Sequence, residues 1–211
     1  MSDNIKKNIY NIKIILLGES GVGKTNLINA YFGNPFNTDI SMTTTPNQSH
    51  SKVDIENNIC YLDIWDTMGQ EKYHSMTKSF IKGSHIIIFV YDMTDKESFS
   101  KINYWVDQVR EVIDLENNKI ILGLAANKLD LIAECQVEKN KGEEYAEEIG
   151  AIFGEMSAKE NRKTFKHYVH KLLRKLLDSE NSIEKEGNII EKSRDSIQTG
   201  TRKKRKTKNC C

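Results

Sequence analysis

Eight residues near the start of the chain have the types and spacing of a phosphate-binding loop. Residues 18–25 read GESGVGKT and fit the pattern GxxxxGK[ST], in which glycines let the backbone curl around a phosphate. Backbone N–H groups would then point inward at the positive end of the following helix. The Lys24 ammonium would pair with phosphate oxygens, and the Thr25 hydroxyl would be a ligand for Mg²⁺. The alternative is a glycine-rich turn without a ligand.

A carboxylate that could select guanine follows a second apolar run. Residues 127–130 read Asn-Lys-Leu-Asp and come directly after the run 120–126. Ligands of open α/β sheets bind at the carboxyl ends of the strands. The Asp130 carboxylate could accept hydrogen bonds from guanine N1–H and N2–H₂, whereas adenine offers an acceptor and no amino group there. On its own, the tetrapeptide would equally suit a solvated loop.

The elements that must position these residues alternate along the chain. Continuous Ile, Leu and Val runs predict strands that are buried on both faces of a sheet, at 12–17, 60–65, 86–91, 120–126 and 151–156. A weaker alternating segment, 51–55, would pair with 60–65 as a hairpin. Helical patterns cover 25–32, 97–115, 137–149 and 162–177. The sequence therefore predicts an α/β fold with a mostly parallel six-stranded sheet, one antiparallel strand and helices on both faces.

The end of the chain differs from its body in composition. The 211 residues carry a net charge of +1, and the last ten hold six Lys or Arg and no acid, which leaves −5 for residues 1–201. From residue 179 onward apolar residues are sparse. We therefore predict one folded domain at 1–178 and a disordered tail at 179–211 with a polybasic segment.

The cysteines point to no metal centre and no disulfide framework. Cys60 and Cys135 stand alone, whereas Cys210 and Cys211 are adjacent and come last in the sequence. Reduced thiols in a cytosolic protein are the expected state. The near-zero net charge suggests no nucleic-acid partner, although a basic run like that of the tail can also be a nucleic-acid or nuclear-localisation patch.

Four motifs in one order resemble the G motifs of Ras-type small GTPases. They are residues 18–25, Asp66-Thr67-Met68-Gly69-Gln70, residues 127–130 and Ser157-Ala158-Lys159. Within that superfamily the chain is most similar to the Rab family, on the strength of 62–67 (LDIWDT), 86–95 (IIIFVYDMTD) and the final Cys-Cys pair. The resemblance covers about residues 10–178 and the last two positions. It implies a P-loop NTPase G domain that binds GTP or GDP with Mg²⁺, hydrolyses GTP slowly and regulates vesicle trafficking.

The resemblance assigns the nucleotide contacts residue by residue. Ser157, Ala158 and Lys159 would support the base, and Phe36 would place its ring beside guanine unless it only packs after Pro35. The full set of implied contacts is Gly18, Ser20, Gly21, Val22, Gly23, Lys24, Thr25, Asn26, Phe36, Thr43, Asp66, Gly69, Asn127, Lys128, Asp130, Ser157, Ala158 and Lys159.

Three residues are implied in the hydrolytic step. Gln70 would orient the attacking water, Lys24 would pair with the β- and γ-phosphates, and Thr43 would contact the γ-phosphate. Gly69 would bond the γ-phosphate through its N–H. Most relatives carry Ala where Met68 stands here, and we expect this longer side chain to keep intrinsic turnover low.

The implied Mg²⁺ ligands are Thr25, Thr43 and Asp66, with Asp66 acting through water. The switch threonine has two candidates. Rab-like spacing, 26 residues before Gly69, selects Thr43, and Ras-like spacing would select Thr44. The segment 45–50 lacks the apolar, glycine-containing pattern typical of Rabs, so effector identity cannot be carried over.

The resemblance also implies membrane attachment and protein partners. Cys210 and Cys211 would be geranylgeranylated, and two lipid chains beside basic charge give stable anchoring. The implied partners are an exchange factor, a GTPase-activating protein, a prenylation escort, a GDP-dissociation inhibitor and effectors. The protein would be a monomer that cycles between the cytosol and the cytoplasmic face of an intracellular membrane.

Three other functions compete with this interpretation. A metabolic kinase would need an acceptor-substrate lid, for which the sequence offers no candidate. A nucleotide-binding scaffold with little hydrolysis is disfavoured by Gln70 but kept open by Met68. A Ras- or Rho-type signalling GTPase is disfavoured by the final Cys-Cys pair.

Overall fold

The structure of the chain is a computed structural model. It describes residues 7–38, 43, 45–67, 74–115, 119–161 and 163–179, with the backbone alone at 74–77. Residues 1–176 belong to one compact unit. A second unit, Leu177–Cys211, is described only at residues 177–179, which are helical.

A six-stranded sheet forms the centre of the first unit. Its strands are β1 (Ile9–Leu17), β2 (Asn47–Ile55), β3 (Asn58–Asp66), β4 (Ile86–Asp92), β5 (Ile121–Asn127) and β6 (Ile152–Glu155). Their order across the sheet is β2-β3-β1-β4-β5-β6. Only the β2–β3 pair is antiparallel, and the other neighbours run parallel. The predicted α/β fold, with one antiparallel strand, is confirmed.

The helices follow the parallel strands. They are α1 (Lys24–Tyr31), α2 (His74–Ile81), α3 (Lys96–Ser100), α4 (Ile102–Arg110), α5 (Lys139–Glu148) and α6 (163–179), with a 3₁₀ helix at Leu129–Glu134. None of these helices has both the length and the apolar character to cross a bilayer, within the residues described.

Side-chain alternation along the strands divides the core into two layers. Ile15 and Leu17 of β1 pack in one cluster with Trp105 of α4 and Ala146 of α5. Alternate residues of a strand point to opposite faces, so buried Ile14 lies on the other side of the sheet. There Tyr31 of α1 meets His170 of α6, with ring centroids 6.5 Å apart. Helices therefore cover both faces.

Several element boundaries differ from the sequence-based expectation. The predicted helix 97–115 is two helices that meet at Lys101, and the second ends at Arg110 because Val112 N–H bonds the Val109 carbonyl in a tighter i→i+3 turn. The first is anchored at its start, where the Asp95 carboxylate accepts the Glu97 N–H at 2.9 Å. Strand β2 begins at residue 47, four residues earlier than predicted. Helix α2 and the 3₁₀ helix were not anticipated.

Two glycines let α6 approach the edge of the sheet closely. A Cβ at Gly123 would lie 2.6 Å from the Tyr168 hydroxyl, and one at Gly154 would lie 2.7 Å from the Tyr168 ring. The Tyr168 hydroxyl donates to the Ile152 carbonyl at 2.5 Å. Tyr168 is 6% exposed and therefore packs its ring directly over β5 and β6.

We expect Gly123→Ala to destabilise the fold by about 1–3 kcal/mol, because the added methyl overlaps Tyr168. In a Tyr168→Phe background the same substitution should cost less, since the nearest clashing atom is gone. Urea unfolding of the four proteins in this double-mutant cycle measures both costs. Equal costs of Gly123→Ala in the two backgrounds would contradict the assigned contact.

Candidate functional site

The loop between β1 and α1 curls at the carboxyl edge of the sheet. Gly21 and Gly23 adopt left-handed φ angles of 80° and 95°. A Cβ at Gly23 would also lie 2.4 Å from Asn127 Nδ2, so both the conformation and the close approach require glycine there. The Asn127 amide donates to the Val22 carbonyl at 2.8 Å. These contacts bring the ends of β1 and β5 together.

A cavity of about 440 Å³ opens between this loop and the loops after β5 and β6. This volume lies in the range of small-molecule sites in proteins. Most of the predicted contacts line it: Ser20, Gly21, Gly23, Lys24, Thr25, Asn26, Phe36, Thr43, Asn127, Lys128, Asp130, Ala158 and Lys159. Asn37, Thr38, Thr67 and Leu131 also line it, and sequence reasoning missed these four.

Four predicted residues stand behind the cavity wall and support it. The Gly18 carbonyl accepts a hydrogen bond from Lys24 Nζ at 2.7 Å, and the Val22 carbonyl accepts one from Asn127. Asp66 and Ser157 each hydrogen-bond a residue that lines the cavity. Each of the four thereby contacts a side chain that lines the cavity.

One end of the cavity contains a buried ammonium group. Lys24 is 6% exposed, and its ammonium also donates to the Glu19 carbonyl at 2.8 Å. Burial lowers the pKa of Lys24 to about 8, with the carboxylates of Asp66 and Glu19 opposing the shift. An anion bound beside this ammonium would stabilise its charged form. A phosphate therefore suits the position electrostatically.

Three oxygen-bearing side chains meet beside Lys24. Thr25 Oγ1 donates to Asp66 Oδ2 at 2.7 Å and lies 3.1 Å from Thr43 Oγ1. The second carboxylate oxygen, Asp66 Oδ1, is buried without a hydrogen-bond partner. Burial raises the pKa of Asp66, while Thr25, Lys24 and Thr43 oppose the shift. A small oxygen-preferring cation would satisfy this carboxylate, so the donor set fits Mg²⁺.

The candidate cation ligands are one carboxylate and two hydroxyls, rather than several acids and imidazoles. No group of three His, Cys, Asp or Glu suited to a metal ion occurs among the residues that the structure describes. Mg²⁺ commonly uses one or two carboxylates together with waters and substrate phosphates. One carboxylate and two hydroxyls are therefore a reasonable set for a site that a phosphate completes.

The other end of the cavity presents a fixed carboxylate. The Ser157 hydroxyl donates to Asp130 Oδ1 at 2.7 Å and accepts the Glu160 N–H at 2.9 Å. The loops are also joined through their backbones, because Leu129 N–H bonds the Met156 carbonyl at 2.9 Å. Ser157 is buried, so the loop after β6 holds the loop after β5 in place.

A long-range contact that sequence reasoning missed holds the phosphate-binding loop from the side. Trp105 is 1% exposed in the core, and its indole Nε1–H donates to Glu19 Oε1 at 3.1 Å. The two residues are 86 positions apart. No local pattern in the sequence signals this pairing, because Trp105 occupies an ordinary apolar position of α4.

Several predicted residues fall outside the described part of the chain. They are Thr44, Met68, Gly69 and Gln70, the lipidation sites Cys210 and Cys211, and the tail from residue 180 onward. Their assigned roles stay predictions.

Comparison with known proteins agrees with this geometry. The family model described as the Ras family matches residues 13–178. Ras-related protein Rab-21 of Mus musculus is 39% identical over 153 residues, which cover 72% of this chain and 68% of that protein. Ras-related protein RabC of Dictyostelium discoideum is 36% identical, covering 71% of this chain and 76% of RabC. GTP-binding protein yptV2 of Volvox carteri is 36% identical, covering 71% and 68%. The chain belongs to the Ras family and is a Rab-type small GTPase.

Proposed function

We propose that this Rab-type GTPase holds its guanine nucleotide in the cavity described above, with Mg²⁺ at Thr25, Thr43 and Asp66. The observation that carries the proposal is the unpartnered, buried Asp66 Oδ1 next to two hydroxyls and the Lys24 ammonium. Mg²⁺, when bound, supplies positive charge that neutralises phosphate oxygens. The Lys24 ammonium adds a second positive charge from the protein itself.

Guanine selection belongs to the other end of the cavity. The Asp130 carboxylate accepts the N1–H and N2–H₂ donors of guanine, and the Ser157 hydroxyl holds that carboxylate in position. Phe36 is partly buried in the cavity wall, where its ring would lie against the base. The cavity thereby binds both ends of the nucleotide with side chains from separate loops.

The switch depends on Thr43. Its hydroxyl lies 3.1 Å from that of Thr25, so the segment before β2 reaches the phosphate end of the cavity. The γ-phosphate gives Thr43 and Gly69 a common partner, and hydrolysis removes it. Gln70 orients the attacking water for that step. Effectors and regulators then distinguish the two nucleotide states by these segments.

The first test is turnover of bound GTP by the purified protein. With GTP and Mg²⁺ loaded, chromatography should show slow conversion to bound GDP in the wild type and loss of conversion in Gln70→Leu, which cannot orient water. Met68→Ala should hydrolyse faster than wild type, since the resemblance implies that the longer side chain slows the step. Tight GTP binding without conversion in any of the three proteins would support a scaffold instead, and equal rates for Met68→Ala and wild type would exclude Met68 as the cause of slow turnover.

The Mg²⁺ proposal has a matched pair of variants. Thr43→Ala removes a ligand hydroxyl, so the GTP-loaded protein should need about tenfold more Mg²⁺ to retain nucleotide, as expected for losing one interaction of roughly 1.4 kcal/mol. Thr44→Ala, one residue away, should leave this requirement within about twofold. Nucleotide retention measured against free Mg²⁺ gives both values. The reverse pattern would assign the switch to Thr44.

We further propose that the protein acts at the cytoplasmic face of an intracellular membrane and cycles with the cytosol as a monomer. Its two final cysteines carry prenyl groups, and the six Lys and Arg of residues 202–208 add attraction to anionic lipid. A prenylation escort and a GDP-dissociation inhibitor would bind the prenylated protein in the cytosol and shield its prenyl groups from water. An exchange factor and a GTPase-activating protein would set the nucleotide state.

Full-length protein made in a prenylating host should float with anionic liposomes. Cys211→Ser should float less, because one chain anchors only marginally, and the Cys210→Ser/Cys211→Ser double variant should stay in the soluble fraction. Nucleotide binding by the double variant is the control for folding. Flotation of the double variant equal to that of wild type would contradict prenyl anchoring.

A further inference from the structure

Lys128 has an unusual backbone conformation for its position. Its φ of 67° is left-handed, and among the described non-glycine residues only the hairpin-turn pair Glu56 and Asn57 share that region. Lys128 lies directly after β5, in the wall of the nucleotide cavity. A lysine does not favour this conformation by itself, so neighbouring contacts must hold it there.

The Lys128 side chain is paired with a carboxylate at the end of β4, while its backbone carbonyl accepts the Leu131 N–H at 2.8 Å. Lys128 Nζ lies 2.5 Å from Asp92 Oδ2, and the Asp92 side chain is 9% exposed. Asp92 is the last residue of β4 and pairs in register with Asn127 of β5. The Asp92 carboxylate is outside the cavity lining, whereas Lys128, its ion-pair partner, is part of it.

Asp92 is itself held from several directions. Its Oδ1 accepts hydrogen bonds from the Thr94 N–H at 2.9 Å and the Thr94 hydroxyl at 2.7 Å. The Asp92 N–H donates to Ser98 Oγ at 3.0 Å, and that hydroxyl also lies 3.2 Å from the Asp92 carbonyl. The carboxylate is therefore a fixed anchor that leaves Oδ2 directed at the lysine.

We propose that Asp92 is a positioning residue for guanine-nucleotide affinity. It draws the Lys128 ammonium to the back of the cavity, so that the lysine's aliphatic stem stays extended along the wall beside the base. A lysine without this anchor would sample many rotamers, and ordering it on binding would cost affinity. The inference rests on the proposed placement of the base between Asp130 and Lys128.

Asp92→Asn tests the proposal, and Asp95→Asn is the matched control. Both substitutions remove one negative charge from the same turn, but the Asp95 carboxylate caps α3 by accepting the Glu97 N–H. The probe is fluorescently labelled GDP bound to the full chain with Mg²⁺. Asp92→Asn should release it about tenfold faster than wild type, in line with loss of a charge-assisted hydrogen bond, and Asp95→Asn should stay within about twofold. Equal rates for the two variants would overturn the proposal.

A double-mutant cycle separates positioning from a general structural role. If Asp92 acts through Lys128, then Asp92→Asn should not accelerate release further in a Lys128→Met background. Additive acceleration would overturn the proposal. If Asp92→Asn does not fold, Thr94→Val replaces it in the same cycle, because it loosens the carboxylate while keeping its charge. Additive acceleration by Thr94→Val and Lys128→Met would likewise overturn the proposal.

A spectroscopic readout reports the ion pair directly. In ¹H–¹⁵N spectra of lysine ammonium groups, the Lys128 signal is assigned by its absence in Lys128→Met. A slowly exchanging signal should be present in wild type and in Asp95→Asn, and lost in Asp92→Asn. Its persistence in Asp92→Asn would overturn the proposal. Failure of wild-type protein to bind labelled GDP would instead count against the proposed nucleotide site itself.

Discussion

One buried amide joins the two ends of the nucleotide cavity. Asn127 is 2% exposed, and its Nδ2 donates to the Val22 carbonyl across 105 residues of sequence. The Asn127 backbone carbonyl accepts the Met93 N–H at 3.1 Å, so this residue also contacts the chain just after β4. The Asn127 side chain thus joins the loop after β1 directly to the loop after β5. Lys24 and Thr25 on one side of the cavity, and Lys128 and Asp130 on the other, directly follow the segments that this hydrogen bond joins.

Most of the buried polar side chains in the described residues lie at the cavity or beside it. Among the described residues, six of the ten buried polar side chains line the cavity or contact its lining: Lys24, Asp66, Thr67, Asp92, Asn127 and Ser157. Burying such groups costs free energy unless they find partners, and two of them, Asp66 and Asn127, keep an oxygen without one. Both unpartnered oxygens lie at the candidate site, where a ligand rich in charge and hydrogen-bonding groups would supply the missing partners.

The sequence was most informative where one local pattern determines one element. The continuous apolar run of β4 predicts a strand buried on both faces, and all seven of its residues are buried. The glycines and Lys24 of the phosphate-binding loop are recognised by spacing alone. The contacts between Trp105 and Glu19 and between Lys128 and Asp92 were not predictable, because they join side chains that are distant in sequence. The split at Lys101 also escaped prediction, since helical periodicity continues through it.

The hairpin turn at Glu56–Asn57 fixes where the far end of β2 lies along β3. Both residues have left-handed φ angles, 50° and 65°, which suits a two-residue turn that fixes the register of β2 on β3. In that register Asn47, at the far end of β2, lies opposite Asp66, and Thr43 is only four residues earlier. A slip of one residue would move the chain by about 3.4 Å and turn every β2 side chain to the other face. A change of register would therefore displace the end of the hairpin from which Thr43 reaches Thr25.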